Sequence, residues 1–389
     1  MNEFIGYGKQ WIDDVEIKEV INVLTSDFLS TGPKIKEFEE QFAALTGARY
    51  CAVVSSGTAG LHLAVKALDI KVGKQGITSP LTFVATPNSL IYNNLKPDFA
   101  DIDEKTFCLD PTELEKRIKP DTAVVLPVHF AGQPAEMKKI SEIARQHGMF
   151  VIEDAAHAIG SKYKNNQPVG SCCCADMTVF SFHPVKTITT GEGGAITTND
   201  KTLYEKLIML RNHGLTKDPH KLKAQSSSPD VGPWYYEMQE LGYNYRMTDI
   251  QAALGIGQLK KLDRFIKRRR EIITRYNDAF NNLEWLTLQY ERPGVFSALH
   301  LYVIRIDFER IGKTRTQVMN ELKAKAIGTQ VHYIPVHFQP YYQEHFGFKK
   351  GDYPKTEHYY QQCLSIPLFP KMTDDDVQRV IDAIKELGK

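Results

Sequence analysis

Hydrophobic residues in the first two-thirds of the chain fall into short, nearly continuous runs that alternate with segments of helical periodicity. Helical patterns, such as the one over 136–147, lie between these runs. Apolar strands separated by helices are typical of a mostly parallel sheet covered on both faces, so the pattern predicts a large α/β domain. The runs predicted to be strands are YCAVVS (50–55), GITSP (76–80), KPDFADI (96–102), TAVVLPVHF (122–130) and MFVIEDAA (149–156), followed by DMTVFSF (176–182) and GAITTND (194–200).

The pattern changes near residue 248. A long helix is predicted over 248–276, followed by a strand in LYVIRIDF (301–308) and a terminal helix from Asp374. These elements indicate a smaller α+β unit, so we divide the chain into a large domain, 1–255, and a small C-terminal domain, 256–389. The segment SSSP, 226–229, is predicted to be a mobile loop.

Composition excludes several classes of protein. Among 389 residues, 48 Lys and Arg balance 47 Asp and Glu, and the net charge of +1 argues against nucleic acid or an anionic membrane surface as the main partner. The charge-free stretch 75–95 contains prolines and asparagines, so it is not predicted to span a membrane. We expect a cytoplasmic protein without disulfides, because the N-terminus lacks a secretory pattern and the six cysteines include no CxxC pair.

The strongest candidate for chemistry is Lys186, in VFSFHPVKTITTGEGG. A lysine just beyond a strand can reach the cleft where open α/β sheets bind ligands, although most lysines are surface residues. Asp154 ends the strand MFVIED, where it can pair with a protonated ring nitrogen or cap the next turn. His157 follows three residues later and can touch the same ring; a purely structural histidine is the alternative.

Three further segments complete the set. Gly57 and Thr58 begin a helix directly after a strand, so their N–H groups can bind a phosphate, unless this is only a helix start capped by Ser56. Ser181 is placed to bind a phosphate oxygen, and Phe83 is either a stacking face for a planar ring or a core aromatic. An amine, a ring-nitrogen partner, a phosphate cradle and a stacking face together indicate a pyridoxal 5′-phosphate (PLP) site.

The sequence resembles the DegT/DnrJ/EryC1/StrS family of sugar aminotransferases over nearly its whole length. The segments that carry the resemblance are SSGTAGLHLAVKAL, TSPLTFVATPNSL, EDAAHAIGSKY, FSFHPVKTITTGEGGAITTND, RNHG and GYNYRMTDIQAALGIGQLKKL. The resemblance implies PLP-dependent transferase fold type I, which is aspartate aminotransferase-like. Within the family, FSFHPVKTIT, QVHYIPVHFQPYY and CLSIPLFPKM are most similar to the branch that acts in pseudaminic acid biosynthesis.

The resemblance also implies roles for single residues. Lys186 would bond covalently to the cofactor and catalyse proton transfer, Asp154 would pair with the pyridine nitrogen, and His157 would lie near the ring 3-oxygen. Asn244, in GYNYRM, would reach the cofactor phosphate of a neighbouring subunit, which implies a homodimer. The remaining residues fall into two groups: cofactor contacts from Gly57, Thr58, Phe83 and Ser181, and nucleotide-sugar contacts from Tyr7, Asp27, Phe28, Leu29, Ser30, Gln330, Val331, His332 and Tyr333.

The implied reaction moves the amino group of L-glutamate to C4 of a UDP-linked 4-keto-6-deoxy hexose. Arg211 and Arg246 are candidates for binding the glutamate carboxylates, or else form structural ion pairs. Another UDP- or dTDP-linked 4-keto sugar and a non-catalytic PLP-binding protein remain as alternatives. Lys186 itself argues against the related dehydratases, which have histidine at that position. His332 and His337 lack a third ligand at matching spacing, so no metal site is predicted.

Overall fold

The computed structural model describes residues 3–223 and 232–388, so the predicted loop 226–229 lies outside the described residues. The helices are α1 (Asp14–Leu24), α2 (Pro33–Thr46), α3 (Gly57–Ala67), α4 (Ala85–Tyr92), α5 (Pro111–Arg117), α6 (Met137–Gln146), α7 (Lys201–Leu210), α8 (Asp249–Leu259), α9 (Leu262–Phe280), α10 (Arg315–Ala324), α11 (Pro340–Phe346), α12 (Pro354–Gln362) and α13 (Asp374–Glu386). The strands are β1 (Tyr50–Val54), β2 (Gln75–Thr78), β3 (Lys96–Phe99), β4 (Thr122–Leu126), β5 (Phe150–Asp154), β6 (Met177–Ser181), β7 (Gly194–Thr198), β8 (Leu215–Thr216), β9 (Glu237–Met238), β10 (Leu286–Thr287), β11 (Tyr302–Ile306) and β12 (Cys363–Ile366).

The large sheet has seven strands in the order β1-β7-β6-β5-β4-β2-β3. Neighbours from β6 to β3 run parallel, whereas β7 is antiparallel to both β1 and β6. The predicted α/β fold with a mostly parallel sheet is therefore confirmed. Because β5 and β6 are parallel neighbours, their carboxyl ends bring Asp154 and Ser181 to the same edge of the sheet.

Both faces of this sheet are covered. In β1, Cys51 and Val53 belong to one hydrophobic core, and Ala52 and Val54 belong to another on the opposite face. Successive side chains of a strand point to opposite faces, which explains why these strands are almost continuously apolar in sequence.

The prediction of a single long helix over 248–276 is wrong. The chain forms α8 and α9, which are interrupted at Lys260 and Lys261. The Lys261 side chain turns inward and pairs with Glu16 at 2.6 Å and with Asp13 at 3.0 Å. These acidic partners precede Lys261 by about 250 residues, so the apolar periodicity of the segment carries no sign of the break. The proposed domain boundary at residue 255 lies within α8 and stays a prediction.

A second hydrophobic core lies at the C-terminal part of the chain. It surrounds the antiparallel sheet β10-β11-β12 and includes side chains of α9, α10 and α13. Ile5 from the N-terminal segment packs into this core, and its backbone pairs with Ala326 and Gly328. This pairing places Tyr7 beside the segment 330–333. Among the described residues, no helix combines the length and apolar character needed to cross a bilayer.

Candidate active site

A cavity of about 620 Å³ opens at the carboxyl ends of β5 and β6. Most of the residues singled out from the sequence line it. The structure brings together Tyr7, Gly57, Thr58, Phe83, Asp154, His157, Ser181, Lys186, Gln330, Val331, His332 and Tyr333. These residues come from six separate segments of the chain, and the sheet edge and the second core place them around one space.

Asp154 lies at the base of this cavity, with only 5% of its surface exposed. Its Oδ2 accepts a hydrogen bond from Thr86 Oγ1 at 2.6 Å, and its Oδ1 accepts one from the Ala156 N–H at 3.0 Å. These two donors fix the orientation of the carboxylate. Such a fixed negative charge suits a partner that carries a protonated ring nitrogen.

Lys186 lines the same cavity, which rules out an ordinary surface lysine. Among the described residues, Nζ of Lys186 has no hydrogen-bond or ion-pair partner. Burial lowers the pKa of Lys186 from 10.5 to about 8, and the nearby charge of Asp154 opposes that shift. A neutral amine is therefore accessible close to physiological pH, as nucleophilic or proton-transferring lysines require.

The start of α3 forms an anion-binding corner against the end of β6. Ser56 caps the helix by accepting from the Ala59 N–H at 3.0 Å, so the capping interpretation is correct. The N–H groups of Gly57 and Thr58 still lack acceptors within the helix, as at any helix N-terminus. A Cβ on Gly57 would lie 2.8 Å from Cβ of Ser181, so only glycine lets this helix start contact the serine.

Phe83 and Tyr333 form an aromatic wall of the cavity. Phe83 is 58% exposed, which excludes the alternative that it is a core residue. The two ring centroids lie 6.2 Å apart. Their faces are available to a planar ligand because both side chains line the cavity.

His157 is buried and also lines the cavity. Its Nε2 lies 2.9 Å from the Tyr333 hydroxyl, and its Nδ1 accepts a hydrogen bond from the Ala131 N–H at 3.2 Å. Burial, with the charge of Lys186 adding to it, lowers the pKa of His157 well below 6.5. Burial also lowers the pKa of His332 to about 3 and raises that of Tyr333. These three side chains are therefore neutral at physiological pH.

Sequence reasoning missed two contributors. Thr86 orients Asp154, and its only sequence signal is its position in TFVATPN after a predicted strand. His300 is 3% exposed, lines the cavity and lies 4.7 Å from the His157 ring. Nothing in SALHLYV indicates a ligand-facing histidine, because its position depends on how the two cores meet.

The other predicted residues lie outside the cavity of their own chain. Asn244 is exposed, and Arg246 donates a hydrogen bond to Asn212 at 2.6 Å. The exposed segment 27–30 is joined to the same surface by a bridge between Ser30 and Thr248. The candidate residues that the structure does not bring into the cavity are Asp27, Phe28, Leu29, Ser30, Arg211, Asn244 and Arg246.

Arg211 forms a structural ion pair, the second of the two roles considered for it. Its guanidinium pairs with Glu39 at 2.5 Å and donates to the Val53 carbonyl at 2.6 Å, and both charged side chains are largely buried. It therefore braces α2 against β1 and does not face the cavity.

The cavity residues fit PLP. The unpartnered amine of Lys186 suits a carbonyl carbon, and the anchored carboxylate of Asp154 suits a protonated pyridine nitrogen. The helix start at Gly57, in contact with Ser181, suits a phosphate. Within the described residues no group of three or more His, Cys, Asp or Glu side chains is placed to hold a metal ion.

Comparison with known proteins agrees with this chemistry. The model of the DegT/DnrJ/EryC1/StrS aminotransferase family matches residues 10–385. The spore coat polysaccharide biosynthesis protein SpsC of Bacillus subtilis is 45% identical over 389 residues, which cover 100% of this chain and 98% of that protein.

Two solved structures are similar over their whole length. Helicobacter pylori PseC, an aminotransferase involved in the biosynthesis of pseudaminic acid, has a TM-score of 0.91 and 29% identity, with 99% of each chain covered. The PLP form of Spr1654 from Streptococcus pneumoniae has a TM-score of 0.89 and 29% identity, covering 99% of this chain and 98% of that one.

Proposed function

This chain belongs to the DegT/DnrJ/EryC1/StrS aminotransferase family, whose members are PLP-dependent sugar aminotransferases, and we propose that it uses L-glutamate to aminate C4 of a UDP-linked 4-keto-6-deoxy hexose. The proposed substrate is UDP-2-acetamido-2,6-dideoxy-β-L-arabino-hexos-4-ulose, a precursor of pseudaminic acid. The full-length structural similarity to PseC supports this choice.

The observation that carries the proposal is the Lys186 amine, which has no partner among the described residues and shares a cavity with the fixed Asp154 carboxylate. PLP, when bound, supplies an electron-accepting ring and a carbon that takes up the amino group. Asp154 would pair with the ring nitrogen and favour its protonated form. Lys186 Nζ takes the proton from the α carbon of glutamate in the first half-reaction and delivers a proton to C4 of the sugar in the second.

Residues at the rim of the cavity are assigned to the nucleotide sugar. Tyr7 and the segment 330–333 line the cavity of their own chain. The exposed residues of 27–30, Asn244 and Arg246 would instead contribute to the site of a partner subunit in a homodimer. The exposure of 27–30 and Asn244, and the bridge between Ser30 and Thr248 close to Asn244 and the half-buried Arg246, support this assignment.

A second candidate acceptor is a different nucleotide-linked 4-keto sugar destined for a surface polysaccharide. The 45% identity to SpsC, a spore coat polysaccharide protein, favours this candidate. The catalytic residues would act in the same way, and only the contacts made by the cavity rim to the sugar would differ.

The test is a spectral half-reaction on the purified holoenzyme. L-Glutamate should bleach the visible cofactor band, and the band should return when the UDP-linked L-arabino 4-ketose is added. Recovery only with another UDP- or dTDP-linked 4-keto sugar would establish the second candidate. Absence of bleaching by glutamate, with the cofactor bound, would show that the protein binds PLP without catalysing transamination.

A further inference from the structure

The hydrogen bonds of His157 determine which of its nitrogens carries the proton. The backbone N–H of Ala131 points at Nδ1 from 3.2 Å, so Nδ1 must offer its lone pair. A neutral imidazole with an accepting Nδ1 has its proton on Nε2. A doubly protonated ring would place two N–H groups face to face and is excluded by the same contact.

The direction of the next hydrogen bond follows. Nε2–H of His157 donates to the Tyr333 hydroxyl oxygen, 2.9 Å away. The phenol cannot donate in return, because Nε2 has no free lone pair. The hydrogen-bond chain therefore runs from Ala131 through His157 to Tyr333.

Tyr333 retains one proton without an acceptor. Among the described residues, its hydroxyl has no hydrogen-bond partner other than His157, and the side chain lines the cavity. Burial and the charge of Asp154 raise the pKa of the phenol, so this proton stays on at neutral pH. A buried O–H that faces the cavity and is not shared with the protein is free to donate to an acceptor on the bound ligand.

We infer that Tyr333, and not His157, donates the hydrogen bond to the ring oxygen of the bound cofactor. The single N–H of His157 is already used on Tyr333, so His157 is a positioning residue that acts through the phenol. The inference rests on the PLP site of the proposed function but not on the identity of the sugar.

The test measures the pH dependence of the visible band of the holoenzyme in the absence of both substrates. A donor to the ring oxygen stabilises its anionic form and weakens the basicity of the nitrogen linked to Lys186. Tyr333→Phe should therefore raise the midpoint pH of the band by about 1 unit, the size expected for one hydrogen bond to a charged group. Because no sugar is present, failure of the sugar assignment leaves this readout untouched.

A double-mutant cycle separates the two donors. If His157 acts only through Tyr333, His157→Gln should shift the midpoint by itself but add nothing to Tyr333→Phe. Tyr342→Phe is the matched control, because Tyr342 donates to Asn88 at 2.6 Å outside the cavity, and its midpoint should equal that of the wild type.

Two outcomes would overturn the inference. An unchanged midpoint in Tyr333→Phe would show that the phenol does not contact the ring oxygen. Additive shifts in the double variant would show that His157 donates to it directly. Circular dichroism and cofactor content, measured on each variant, distinguish these results from a failure to fold.

Discussion

Lys186 lies in the cavity at the expense of stability, because its buried amine lacks a partner among the described residues. Its pKa of about 8 in the folded chain is below the 10.5 of an unfolded lysine, so the unfolded state binds more protons between these values. Folding is therefore penalised in full below pH 8, and the penalty fades as the pH rises through 10.5. The same depressed pKa provides the free amine that the proposed chemistry uses.

We expect Lys186→Met to stabilise the cofactor-free protein by about 1 kcal/mol at pH 7, after allowance for solvent in the cavity. The gain should disappear near pH 10.5, and the variant should lack the visible cofactor band and all transamination. Thermal unfolding of the cofactor-free proteins across this pH range measures the effect. Lys267→Met, at an exposed position of α9, is the control and should leave both stability and band unchanged. Retained transamination in Lys186→Met would disprove the assigned role.

At the scale of elements, the phosphate corner depends on how closely α3 approaches β6. At Gly57 a methyl group would press on Ser181, at the end of the contact where the phosphate is proposed to bind. Gly60 is one turn further along α3, where a methyl group would press on Val179, with its Cγ1 at 2.8 Å. Substituting alanine for either glycine would therefore crowd the same contact between α3 and β6, in one case at the anion site and in the other one turn away from it.

Gly57→Ala should lower PLP affinity by about tenfold or more, because the helix start must move away from Ser181, and the loss of one charged hydrogen bond is worth about that much. Gly60→Ala should reduce stability through overpacking but change PLP affinity much less. Fluorescence titration of cofactor-free protein with PLP compares them. Equal losses of affinity in the two variants would contradict the placement of the phosphate.

A second element-scale contact joins α2 to α8. The N-terminus of α2 has Gly32 as its N-cap and no local side-chain cap. The fully buried Asp249 carboxylate replaces it, accepting from the N–H groups of Gly32 at 2.7 Å and Lys34 at 2.9 Å. Asp249 is also the first residue of α8, so its carboxylate joins α2 to α8 next to the segment that contains Asn244.

Asp249→Asn should lower the free energy of unfolding by about 1–3 kcal/mol, because one of the two N–H groups loses a charged acceptor in a buried site. Asp200→Ala removes an exposed cap of α7 and should cost about 1 kcal/mol or less. Urea denaturation with fitted slopes compares the two variants. If Asp249→Asn is no more destabilising than Asp200→Ala, the long-range cap is not important for stability.

At the scale of the whole molecule, the cavity of one chain contains only some of the residues proposed to bind the cofactor and the sugar. Lys186 lines the cavity, whereas Asn244 is exposed and does not line it. Exposed apolar side chains accompany Asn244 on this surface, including Phe28 and Leu29 at 53% and 49% exposure. A shared site between two copies would explain both features.

Subunit complementation tests this arrangement. Lys186→Ala should be inactive, and Asn244→Ala should bind PLP more weakly. A dimer with one subunit of each kind should contain one intact site, in which Lys186 of one subunit meets Asn244 of the other. Co-expression with two affinity tags isolates the mixed dimer, and its activity at limiting PLP should exceed that of either parent. Activity no greater than the mean of the parents would exclude a shared site.

Much of the fold could be predicted because each β-strand and helix leaves its own periodicity in the sequence. The buried strands β1 to β6 and the helix start at Gly57 fall where the apolar pattern places them. The break between α8 and α9 could not be predicted, since it depends on Lys261 meeting Glu16. Thr86 and His300 were missed for the same reason: contacts between distant segments, not local pattern, give them their positions.

The sequence by itself determined the α/β architecture and the residue types of the site, because strand ends, a glycine helix start and a lysine beyond a strand are local features. The tertiary structure decided which of those residues share a cavity, which kept Arg211 out of it and brought His300 in. It also decided the state of each group: burial lowers the pKa of Lys186, and the Ala131 N–H sets the proton on His157. Desolvation and hydrogen-bond direction depend on atoms from distant segments, and only the folded chain brings those atoms together.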